Sequence, residues 1–104
     1  MNMNALRSRA GVAATLLKGL ANRHRLMILC ELHNGERSVS ALERVVGLSQ
    51  SALSQHLAKL RRDRLVTTRR EAQTIYYSVA DPGVTEVISA LYRIYCRPAR
   101  TKSA

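Results

Sequence analysis

The stretch from residue 38 to residue 79, SVSALERVVGLSQSALSQHLAKLRRDRLVTTRREAQTIYYSV, constrains this chain more than any other feature. It reads as a short helix, a tight turn, a second helix and a basic β-hairpin. Ser40 is placed to cap the first helix, with Glu43 three residues on completing a capping box, and Leu42, Val45 and Val46 recur at helical spacing on one face. Gly47 stops it, because glycine reaches positive φ without a steric penalty and lets the chain reverse within a few residues. Ser49 is the expected cap of the second helix, whose apolar positions Leu53, Leu57 and Leu60 again fall three or four apart. This order of elements predicts a mainly α fold with a small β-hairpin, a winged helix-turn-helix.

The other face of the second helix is polar. It carries Gln50, Ser51, Ser54, Gln55, His56 and Lys59, with Ser49 at its start. A helix that reads DNA needs amide and hydroxyl side chains near its N-terminus, where they reach base-edge donors and acceptors in the major groove. A solvated surface helix has one polar side too, so this face alone leaves both readings open. The hairpin tips the balance. Strand formers at Val66-Thr67-Thr68 and at Thr74 to Val79 flank Arg69-Arg70-Glu71-Ala72-Gln73, and two arginines near the tip suggest a wing lying along the phosphate backbone or in the minor groove. A solvated loop with ordinary surface charge is the plainer alternative. Tyr76 and Tyr77 point to opposite faces of their strand.

Charge agrees with a polyanionic partner. Lys and Arg total 17 against 7 Asp and Glu, a formal net charge of +10, and Arg61, Arg62, Arg64, Arg69 and Arg70 crowd the second helix and hairpin. A membrane is the competing polyanion, but no apolar run approaches the roughly 20 residues of a spanning helix and no signal core opens the chain. The expectation is a soluble, cytoplasmic protein. At 104 residues the chain suits one domain, 1-104, with short basic tails at 1-8 and 98-104.

The remaining residues form the scaffold. Val12, Leu16, Leu17 and Leu20 predict a helix over residues 9-20, and Asn22 caps another that runs to about His33 before Asn34-Gly35. A last helix begins near Pro82 and carries Val84, Val87, Ile88, Leu91, Tyr92 and Tyr95. That is more apolar surface than so small a domain buries alone. The first and last helices are therefore expected to form a homodimer interface, presenting two reading heads to a two-fold, double-stranded DNA operator. An enzyme is the least supported class, since no nucleophile, base and orienting group occur as a set.

Over nearly the whole chain, LLKGLANRHRLMILCEL, GLSQSALSQHLAKLRRDRLV and Ile75-Tyr76-Tyr77 resemble the ArsR-type dimeric winged-helix repressors. Many members of that family sense metals, which implies ligands to look for. Where the family's thiolate site has a Cys-x-Cys pair, this chain has Ser38-Val39-Ser40, and residues 81 to 97 offer Asp81 and Glu86 without a histidine for the zinc site. His24, His33 and His56 do not cluster at ligand spacing, so neither a metal nor a cofactor is expected.

Two cysteines remain, Cys30 and Cys96. Cys96 has Arg93 before it and Arg97 and Arg100 after it, a cationic setting that favours the reactive thiolate, whereas Cys30 follows Leu26 and Met27 and precedes His33. On chemistry alone the favoured reading is a small core thiol at Cys30 and an inert one at Cys96. The contexts LMILC and YRIYC resemble the persulfide-sensing branch of the family, and this reverses the preference. The branch often has a proline where this chain has Asn22-Arg23. The resemblance implies a redox switch in which the two cysteines react with sulfane sulfur or oxidant, join through a disulfide or polysulfide, and DNA is released. In that reading Gln50, Ser51, Ser54 and Gln55 read bases, and His56, Lys59, Arg69, Arg70 and Gln73 contact the backbone or minor groove. The alternatives are a repressor responding to haem or a thiophilic metal ion, and a non-switching architectural DNA-binding protein. A switch gives a high specificity ratio that oxidation abolishes, and an architectural protein gives neither.

Overall fold

The computed structural model describes residues 1-96. The order is α1 (Met3–Leu20), α2 (Arg23–His33), β1 (Arg37–Ser38), α3 (Val39–Val46), α4 (Gln50–Arg62), β2 (Val66–Glu71), β3 (Thr74–Val79) and α5 (Pro82–Tyr95). The expected tail at 98-104 lies outside the described residues. Residues 3 to 8 are not a tail but the first turns of α1. Asn2 caps that helix by accepting from the Asn4 and Ala5 amides, a polar signal that apolar periodicity does not carry.

Side-chain caps set most of the other boundaries. Asn22 Oδ1 accepts from the amides of His24 and Arg25 at 3.0 and 3.1 Å, so a side-chain cap starts α2. Arg25 then donates back to the Gly19 and Lys18 carbonyls, satisfying the end of α1 and fixing the corner between the two helices. The cap of α3 is Ser38, not Ser40. Ser38 has the extended backbone a cap requires, φ −76 and ψ 163, and accepts from the Ala41 amide at 3.2 Å, while Ser40 already lies inside the helix. Gly47, at φ 69, ends α3 in the left-handed region, and Ser49 caps α4 by accepting from the Ala52 amide.

Helix α4 ends in a Schellman motif. The Arg64 amide bonds the Arg61 carbonyl and the Leu65 amide bonds the Leu60 carbonyl, with Arg64 at φ 62 where glycine is usual. The chain thus leaves α4 directly into β2.

The hairpin pairs Val66 with Val79 through Glu71 with Thr74, closed by the two-residue turn Ala72-Gln73 with Ala72 at φ 57. Strand β2 therefore extends through Arg69 and Arg70, which stand on the strand and not in the turn. The edge strand β1, unseen in the sequence, pairs Arg37 with Tyr77 and Ser38 with Tyr76, giving the sheet order β1-β3-β2.

A single aliphatic core joins these elements. Leu20, Ile28, Leu29, Leu32, Leu42, Leu53, Leu57, Leu60, Leu65, Val66, Val84 and Ile88 are buried, and no polar side chain is buried among the described residues. Each fully buried aliphatic side chain contributes about 1.5 to 3 kcal/mol. Leu53, Leu57 and Leu60 anchor α4, so its opposite face is held outward. Helix α1 buries only Gly19 and Leu20. Val12, Leu17, Tyr92, Ile94 and Tyr95 remain exposed on α1 and α5.

Candidate nucleic-acid interface and thiol groove

At 100° per residue, the arc of α4 directly opposite Leu53, Leu57 and Leu60 holds Ser51, Gln55, Ala58 and Arg62, all exposed. Gln50, Ser49 and Ser54 are exposed on the same helix, nearer its N-terminal and wing sides. Ser54 lines a cleft of about 490 Å³ between α4 and the sheet, together with Val39, Arg61, Arg62 and Tyr77. Arg61 and Arg62 were visible as charge in the sequence, but their place beside the outward face became apparent only with the helix phase.

His56 and Lys59 stand on the flank and are half-buried. The His56 ring lies 5.8 Å from that of His24 on α2. Burial pushes the His56 pKa down, and the neighbouring charges of Arg25 and His24 push in the same direction, so the neutral ring is favoured.

The two wing arginines part company. Alternation along β2 puts Arg70 on the face of Val66, Thr68 and Tyr77, which packs toward the core and α4, and puts Arg69 on the other face. Arg69 Nε and Nη2 donate to the two carboxylate oxygens of Glu36, each at 2.8 Å, and Nη1 donates to Glu71 Oε1 at 2.9 Å. Its guanidinium also lies 4.6 Å from the centre of the Tyr76 ring, the residue directly across the ladder. These hydrogen bonds, led by those to Glu36, raise the Arg69 pKa further. The guanidinium of Arg69, expected at the DNA, is thus engaged by two carboxylates, whereas Arg70 and the exposed turn residue Gln73 have no ion-pair or side-chain hydrogen-bond partner among the described residues.

The two cysteines share a groove between α2 and α5. Its volume is about 830 Å³, and its walls include Leu26, Met27, Ile88, Tyr92, Tyr95, His33 and Arg93. Cys30 is half-buried and Cys96, the C-cap of α5, is exposed; both are free thiols. Burial pushes the Cys30 pKa up, and the nearby Cys96 adds to the rise. Arg97 and Arg100, expected beside Cys96, lie outside the described residues. Among the described residues no three of His, Cys, Asp and Glu converge as a metal site. No helix there is long and apolar enough to cross a membrane.

A capped helix with an outward polar face, followed by a basic hairpin, is the layout of a winged helix-turn-helix. Residues 22–68 match the model of the bacterial regulatory proteins of the arsR family. The transcriptional activator HlyU of Vibrio cholerae is 50% identical over 97 residues, covering 93% of this chain and 90% of that protein. The structure of reduced HlyU from Vibrio cholerae superposes with a TM-score of 0.83 at 49% identity, over 89% of this chain and 98% of that one. The transcriptional repressor BigR of Xylella fastidiosa superposes with a TM-score of 0.87 at 39% identity, over 94% of this chain and 100% of that one. The homodimeric winged helix-turn-helix domain Mb0332 of Mycobacterium bovis gives 0.75 at 32% identity, over 85% and 82% of the chains. The chain belongs to the ArsR family of DNA-binding transcription regulators.

Proposed function

We propose that this protein is a homodimeric, cytoplasmic repressor that leaves its double-stranded DNA operator when Cys30 and Cys96 are joined. The observation that carries this reading is the shared groove, in which the charge of one thiol is felt by the other. With an organic persulfide as oxidant, the two thiols lose two protons and two electrons to form a disulfide, and the persulfide leaves as a thiol and hydrogen sulfide. Incorporating one sulfane sulfur as a trisulfide consumes two persulfides and releases two thiols and one hydrogen sulfide.

Exposed apolar residues on α1 and α5 support the dimer, and Mb0332 is described as homodimeric. A bridge ties α2, which packs against α4, to α5, the dimer helix, and changes the spacing of two reading heads that must meet half-sites about one helical turn apart. A tenfold loss of operator affinity requires a bias of only about 1.4 kcal/mol. In each reading head Ser49, Gln50, Ser51, Ser54 and Gln55 face base edges, and His56, Lys59, Arg70 and Gln73 face the backbone or minor groove.

The test uses Cys30→Ser and Cys96→Ser. Each variant binds the operator normally when reduced and stays bound after persulfide treatment, followed by fluorescence anisotropy with mass spectrometry of the product. Release of either variant as readily as the parent rules out a two-cysteine switch.

A further inference from the structure

We propose that Arg69 is a positioning residue of the wing, and that Glu36 is the anchor through which it acts. The inference rests on the wing's role in DNA binding. Arg69 and Glu36 are 33 residues apart, yet the guanidinium grips both carboxylate oxygens in the two-pronged geometry specific to arginine. The clamp crosses the whole sheet. Glu36 stands just ahead of β1, Tyr76 on β3 lies beneath the guanidinium, and Glu71 closes the far side on β2.

The anchor is itself secured. Arg37 Nη1 donates to the Glu36 carbonyl while its Nε donates to Glu31 at the end of α2. An unbroken series of contacts thus runs from the helical body to the outer strand of the wing. The hairpin tip beyond Tyr77 has no core beneath it, so its direction depends on such lateral ties.

Charge argues against a second role for Arg69 as a phosphate contact. One guanidinium faces two carboxylates, so its charge and all three of its nitrogens are already engaged within the sheet. Strand alternation already sets Arg70 on the α4 side; what the clamp fixes is the strand that carries it, by tying Arg69 across β3 to the segment ahead of β1.

Electrostatics alone and the clamp predict opposite signs for one substitution. Removing a carboxylate from a DNA-binding protein ordinarily tightens binding, whereas Glu36→Gln, by freeing the wing, weakens it. The probe is a duplex recovered from a random-sequence pool by selection on the parent protein, and binding is measured by anisotropy across a salt series. Glu36→Gln and Arg69→Gln each lose roughly three- to fivefold in affinity, the scale of a well-formed surface ion-pair network. Both keep the parent's salt slope, because the bound wing still places Arg70 on its phosphate and the loss is the cost of ordering a freed hairpin, and the double variant loses no more than either single one. Arg69→Lys, which keeps the charge but lacks the fork, loses as much as Arg69→Gln. Unchanged helical circular dichroism ties these losses to the wing. Tighter binding by Glu36→Gln, full binding by Arg69→Lys, or a lowered salt slope for Arg69→Gln overturns the proposal. The parent's ability to select a duplex at all tests the DNA-binding reading separately.

Discussion

Replacing Arg70 with Ala isolates the wing's contact with the DNA backbone. Arg70 is exposed, lies on the α4 side of the hairpin, and has no ion-pair partner among the described residues, so its charge is available to a phosphate. Each neutralised phosphate contributes about 0.9 to the slope of log affinity against log salt on duplex DNA. A dimer carries two wings, so the variant's slope is shallower by about 1.8. A fourfold rise in salt, from about 50 to 200 mM, then narrows the affinity gap between parent and variant by roughly twelvefold. The loss falls equally on operator and random duplexes, because a phosphate contact carries no sequence information. Fluorescence anisotropy titrations at four or more salt concentrations measure it. Parallel salt slopes for parent and variant would refute the reasoning, and with it the assignment of Arg70 to the backbone.

Gln55→Ala, at the centre of the outward arc of α4, should cost about 1 to 3 kcal/mol on the operator and almost nothing on random DNA; equal loss on both denies it a base-reading role. In Cys96→Ser, Cys30 loses the contribution that Cys96 makes to its raised pKa, so its site-resolved alkylation rate should climb at lower pH than in the parent. Burial is the larger cause, so the midpoint stays above that of an unburied cysteine, and an unmoved profile means the thiols do not sense each other. Gly19→Ala places a methyl group onto Leu65 Cδ1 at the contact between α1 and the core, and should lower stability by about 1 to 3 kcal/mol in thermal melts. An unchanged melting temperature shows that this corner yields without cost.

The helices were legible because aliphatic residues three and four apart can serve only one buried face, as Leu53, Leu57 and Leu60 do. Gly47, Asn22 and Ser49 sit where the chain's own chemistry requires them. Strand β1 was not legible, since two residues cannot show an alternation and its pairing partner lies 40 positions on, Arg37 against Tyr77. The cap of α3 was misplaced for the same reason. Once β1 ends at Ser38, that residue and not Ser40 is left extended at the helix start. On the candidate interface, composition alone marked both wing arginines, but only the register separates Arg70 from Arg69, and nothing local to Arg69 announces Glu36. The cysteines' common groove was likewise beyond periodicity, because it depends on how α2 and α5 cross.

The chain's four tyrosines, with no tryptophan beside them, give the molecule a built-in optical division. Tyr76 and Tyr77 stand on the wing, the former beneath a guanidinium, while Tyr92 and Tyr95 line the groove of the two thiols. Its ultraviolet emission therefore originates at two separate sites, the hairpin and the thiol groove. Exchanging one pair for phenylalanine silences one end and leaves the other to be watched alone. An unlabelled sample can then show whether events at the sulfur atoms precede or follow movement of the hairpin.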